Sequence, residues 1–69
     1  MNNVKDLILP LTDEFLRRCK LAREAAGDSQ RDLAGRLGVS NQAISNFERG
    51  VNRPAWIGLE YLKIYNMEI

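Results

Sequence analysis

The chain has 69 residues, one domain near the lower limit of what buries a core unaided, and a net charge of +1 with no histidine, so no overall field draws it to nucleic acid. Hydrophobic residues make up 45 % but only five are aromatic, which leaves the core to Leu, Ile, Val and Ala and favours a compact helical bundle. The single cysteine excludes an internal disulfide and fits a reducing, cytoplasmic compartment.

Residues 1–11 read as an N-terminal arm, apolar at Val4, Leu7, Ile8, Leu9 and Leu11. Its apolar run is broken by Pro10 and falls far short of the roughly 20 residues that span a bilayer, so neither a signal peptide nor a membrane helix is expected. The remainder, 12–69, reads as one domain. Thr12 is an N-cap, with Asp13 and Glu14 in the first turn where the helix dipole favours negative charge. In the first helix Phe15, Leu16, Cys19, Ala22 and Ala26 share the inner face, and Gly27 closes it. On that face Cys19 is expected to be a small buried hydrophobe rather than a nucleophile or metal ligand.

Ser29 and Asp32 form a capping-box pattern that opens a second helix, with Leu33, Ala34 and Leu37 inward. Ser40 caps a third helix running from Asn41 to about Arg49 and stopping at Gly50. After a loop at 51–53, Pro54 takes the first position of a fourth helix, where its missing N–H does no harm, and that helix reaches Tyr65 or Asn66.

From Gln30 to Arg49 the small and apolar residues are spaced for two short helices crossing at a sharp turn. Ala34 suits the closest approach, Gly38 the positive φ of the turn, and Ile44 and Phe47 plug the second helix onto the first. This is the pattern of a helix-turn-helix. At roughly 100° per residue, Asn41, Ser45, Arg49, Gln42 and Asn46 fall within an arc of about 140° on the outer face of the third helix. A merely solvated face is usually built from Glu and Lys, because Asn and Ser are poor helix formers. Amides, hydroxyls and guanidinium suit base edges in a DNA major groove instead. The one carboxylate of this helix, Glu48, lies on the inner side, and Arg23 of the first helix is its expected partner in a structural ion pair.

The run LGVSNQAISNFERG, preceded by LAREAAGDSQRDLA, resembles the lambda-repressor, Cro and XRE-like family of bacterial and phage regulators from about Phe15 to Leu62. The resemblance implies an all-α domain of four or five helices that binds double-stranded DNA. It assigns base contact to Ser40, Asn41, Gln42, Ser45 and Asn46. Phosphate contact is implied for Gln30, which also braces the recognition helix, and for Asn52 and Arg53 with the backbone N–H groups of their loop. Arg31 and Arg49 are further phosphate candidates. Arg23 and Glu48 match an ion pair found in some members.

Many relatives carry a fifth helix that builds a dimer contact, whereas here the fourth helix is followed closely by Ile69 and is apolar on most sides. A homodimer is therefore expected to use Leu7, Leu9, Trp56, Tyr61, Ile64 and Tyr65. The function expected is that of a phage or prophage Cro-like repressor occupying a palindromic operator. The alternative is an antitoxin that holds a toxin through the arm and fourth helix while repressing its own operon. No cofactor and no catalysis are expected, since there is no His and no paired carboxylates in a recognisable pocket.

Overall fold

The computed structural model describes residues 11–68, which form four helices: α1 (Asp13–Ala25), α2 (Gln30–Leu37), α3 (Asn41–Glu48) and α4 (Ala55–Ile64). Each of the first three begins where a hydroxyl stands ready to satisfy a free backbone N–H. Thr12 Oγ1 accepts from Phe15 N at 3.1 Å, Ser29 Oγ from Asp32 N at 2.9 Å and Ser40 Oγ from Ala43 N at 3.0 Å. The Asp32 carboxylate in turn accepts from Ser29 N at 2.9 Å, completing the capping box. Pro54 departs from expectation by one residue. It is extended (ψ 129°) and caps α4 without a side-chain bond, so the helix proper starts at Ala55.

The helix ends follow from residues that tolerate positive φ. Gly27 and Gly50 let the chain fold back, so that Asp28 N bonds Arg23 O at 3.1 Å and Val51 N bonds Asn46 O at 2.9 Å. At the end of α4 the same role falls to Asn66 (φ 53°), with Met67 N on Leu62 O at 3.0 Å, which stops the helix at Ile64.

The core is Phe15, Leu16 and Cys19 from α1, Leu33 and Ala34 from α2, Ile44 and Phe47 from α3, and Ile57 and Tyr61 from α4. Ala34 and Gly38 allow α2 and α3 to meet closely, and Ile44 and Phe47 fill the junction with no exposed surface. Phe47 stacks on Tyr61 with ring centroids 5.2 Å apart, and Tyr65 tilts against Tyr61 at 5.8 Å. On α1 the inner face differs from the expected one. Ala22 is half-buried and Ala26 exposed, and Arg23 is buried instead. No helix among the described residues is long and apolar enough to cross a membrane.

One glycine works against its helix. Gly35 sits in α2 on the exposed side, and a Cβ there would meet nothing within 4 Å. Gly35→Ala should therefore stabilise the domain by about 0.5–1 kcal/mol, by restricting the unfolded chain and favouring helix. Thermal unfolding followed by circular dichroism is the check, and a midpoint at or below the parent's would show that Gly35 is needed where it stands.

Candidate nucleic-acid interface

The burial of Ile44 and Phe47 sets the rotation of α3, and with it the face the helix offers to solvent. On that face Ser40, Asn41, Gln42 and Arg49 are exposed, and Ser45 and Asn46 are half-buried. Three of these side chains form a single strip. Gln42 Nε2 donates to Asn46 Oδ1 at 2.9 Å, and Arg49 Nη2 donates to the same oxygen at 2.8 Å. Holding the strip in place before binding lowers the side-chain entropy lost at an interface. Ser40 uses its oxygen as the cap of α3, and its hydroxyl hydrogen remains to be donated outward.

Glu48 points the other way, with its side chain 2 % exposed. Arg23 Nε donates to Oε2 at 2.7 Å and Arg23 Nη2 to Oε1 at 3.0 Å. Gln30 Nε2 adds a bond to Oε1 at 3.1 Å, and the Tyr61 hydroxyl one to Oε2 at 2.5 Å. Arg23 Nη1 in turn donates to Asp28 O at 2.7 Å. One carboxylate of α3 thus joins a residue from each of the other three helices. Burial pushes the Glu48 carboxyl upward, but the bonds from Arg23, Tyr61 and Gln30 outweigh it and hold the group below its usual range. Burial, and next the bond to Glu48, drive the Tyr61 phenol well above its ordinary value. The Cys19 thiol is pushed up to about 12, first by burial and then by the Glu48 charge. A thiol so protonated and fully enclosed is no nucleophile.

The phosphate candidates occupy different situations. Gln30, the first residue of α2, is braced against α3 through Glu48. Arg31 is exposed and makes no side-chain hydrogen bond among the described residues. Arg53 is a latch across the domain. Its Nη2 donates to Asp13 Oδ1 at 2.7 Å, its Nη1 to Leu11 O at 2.7 Å and its Nε to Gly50 O at 3.1 Å. Of its five N–H groups two are left over for a phosphate. The backbone of the α3–α4 loop is also engaged. The N–H groups of Gly50, Val51 and Asn52 bond Phe47 O or Asn46 O in closing α3, and so are not free to grip phosphate as expected.

Among the dimer candidates, Tyr61 requires correction. It is fully buried, with its ring stacked on Phe47 and its hydroxyl bonded to Glu48, so it has no surface to offer a second copy. Ile64 and Tyr65 are half-buried against the core, with the Tyr65 hydroxyl on Asp28 Oδ2 at 2.9 Å. Trp56 is 47 % exposed, and Leu59, which was not singled out, is 45 % exposed. Leu7 and Leu9 lie outside the described residues. Sequence reasoning missed the part of Tyr61 at Glu48, and it named Gln30 as a brace of the recognition helix without naming Glu48 as the group it holds. The apolar setting of Tyr61 concealed the work of its hydroxyl, and no local spacing links positions so far apart.

The helix-turn-helix family model matches residues 20–55, just over half the chain, from the middle of α1 to the first residue of α4. Comparison with curated proteins and with solved structures gives no match. The matched span contains α2, the turn at Gly38 and the whole of α3 with its outward polar strip. The chain belongs to the Cro/C1-type, XRE-like helix-turn-helix family and is a DNA-binding transcriptional regulator.

Proposed function

We propose that this protein is a Cro-like repressor of a phage or prophage, which occupies a palindromic operator as a dimer and blocks polymerase. The observation that carries the reading is the outer face of α3, where Asn41, Gln42, Ser45, Asn46 and Arg49 stand together and the helix's only carboxylate is turned into the core. Residues 12–69 act as the DNA-binding unit and residues 1–11 as an arm. Ser40, Asn41, Gln42, Ser45 and Asn46 meet base edges in the major groove. Gln30, Arg31, Arg49, Asn52 and the two remaining N–H groups of Arg53 meet phosphates and set the register. Footprinting on the DNA upstream of its own gene tests this directly. Two protected half-sites about 34 Å apart are expected, and uniform protection without symmetry would sink the operator reading.

Dimerisation follows from economy of surface, since one short recognition helix buries too little area for tight specific binding. Trp56 and Leu59, exposed on α4, supply the apolar contact for a second copy. Sedimentation should find dimers in the micromolar range for the parent and monomers for Trp56→Ser. A parent that stays monomeric at high micromolar concentration, both alone and on DNA, would overturn the dimer.

A further inference from the structure

Between α1 and the C-terminal end of α3 lies an open cleft of about 270 Å³, lined by Asp13, Leu16, Arg17, Lys20, Glu48 and Arg49. Its floor is apolar, since Leu16 is 2 % exposed. Its charges do not cancel. Asp13 is matched by Arg53 at 2.7 Å and Glu48 by Arg23 at 2.7 Å, while Arg17 pairs with Glu14 outside the cleft. Lys20 and Arg49 have no acidic partner within 4.0 Å among the described residues, although Arg49 bonds the neutral Asn46 amide. Two uncompensated cations therefore face one recess, and one of them, Arg49, also belongs to the polar strip of α3.

We infer that this cleft is a further anion site, in which Lys20, beside Arg49, takes a backbone phosphate of the duplex next to the bases facing α3. The claim rests on the DNA-binding surface proposed above and extends it onto α1. The shared residue Arg49 decides the occupant. A duplex lying along the strip passes the mouth of the cleft, so the phosphate nearest Arg49 is the one within reach of the flexible Lys20 ammonium. Neutralising a phosphate releases condensed counterions, so the contact has a signature separate from base reading.

The test is the salt dependence of binding to a dye-labelled, mixed-sequence duplex of about 30 base pairs, read by fluorescence anisotropy. Lys20→Ala should make the slope of log K against log salt shallower by about 0.9 for each protomer on the duplex, the value for one lost phosphate contact on B-form DNA, and so by about 1.8 for a bound dimer. Lys20→Arg should keep the parent slope. Arg18→Ala serves as the control, because Arg18 pairs with Glu14 and does not line the cleft, and its slope should match the parent's. A parent that binds with a steep slope unchanged by Lys20→Ala would overturn the cleft assignment and leave the α3 reading intact. A parent with no salt-dependent binding to any duplex would overturn both. Inorganic phosphate that shifts the Leu16 and Lys20 amide resonances, with no effect of Lys20→Ala on the duplex slope, would assign the cleft to a small anion instead.

Discussion

Arg23→Ala is expected to destabilise the domain by about 3–5 kcal/mol, because it leaves the Glu48 carboxylate enclosed without its counter-charge. The side chains of Arg23 and Glu48 are 6 % and 2 % exposed, so water cannot replace the guanidinium. A domain of this length has about 3–10 kcal/mol of stability in total. The variant should therefore lose between about a third and all of that stability, as urea or thermal unfolding followed by circular dichroism would show. A loss under about 1 kcal/mol would mean that the carboxylate escapes to solvent and the hub is ornamental. Replacing Arg23 by Met, Glu48 by Leu and Tyr61 by Phe together should recover most of the loss, since no charged or hydroxyl group is then left buried alone.

The same hub gives the domain an acid limit. The Glu48 carboxyl is held below its ordinary value of 4.5 in the folded chain, so its contribution is fully present above that pH. The unfolded chain takes up the proton first, and the contribution is lost as pH falls through the folded value. Stability should therefore decline below about pH 4.5, and Glu48→Gln should flatten that limb while lowering stability at neutral pH. Some slope should persist from Glu14, held low first by its bond from Arg18, and from Asp32, held low first by the Ser29 backbone N–H.

Gln42→Ala is expected to cost about 1–3 kcal/mol of binding at one base pair and to relax preference there alone. Gln42 is exposed and bonds Asn46 Oδ1 at 2.9 Å, so its loss should leave folding intact while Arg49 still holds Asn46 at 2.8 Å. Asn46→Ala should consequently affect recognition beyond its own contact, since both Gln42 and Arg49 lose the acceptor that aligns them. Binding measured across single-base operator variants separates the two effects. If Gln42→Ala ranked every variant as the parent does, base reading would have to lie elsewhere on α3.

The local course of the chain was legible because its signals are short-range. Thr12, Ser29 and Ser40 cap from fixed positions relative to the N–H groups they satisfy, and Gly27, Gly38 and Gly50 mark turns that few other residues tolerate. The division of α3 into an inner and an outer face followed from helical period alone. Helix α4 was less legible. With apolar residues on most sides, its sequence gives no preferred direction, and the choice of Ile57 and Tyr61 as inward and of Trp56 and Leu59 as outward was left to packing.

The sequence specifies the helices, the turn at Gly38 and the polar strip of α3, because capping, glycine and periodicity act within a few residues. It also paired Arg23 with Glu48, since a lone carboxylate on an inner face demands a cation. Packing supplied the rest: Gln30 and Tyr61 close around Glu48, Arg53 is latched to Asp13 and Leu11, and Lys20 and Arg49 share a cleft. Those arrangements join residues separated by 13 to 42 positions, and such separations carry no periodic or local signal. They are set by how four helices together bury one small core, which is a property of the assembly and of no segment within it.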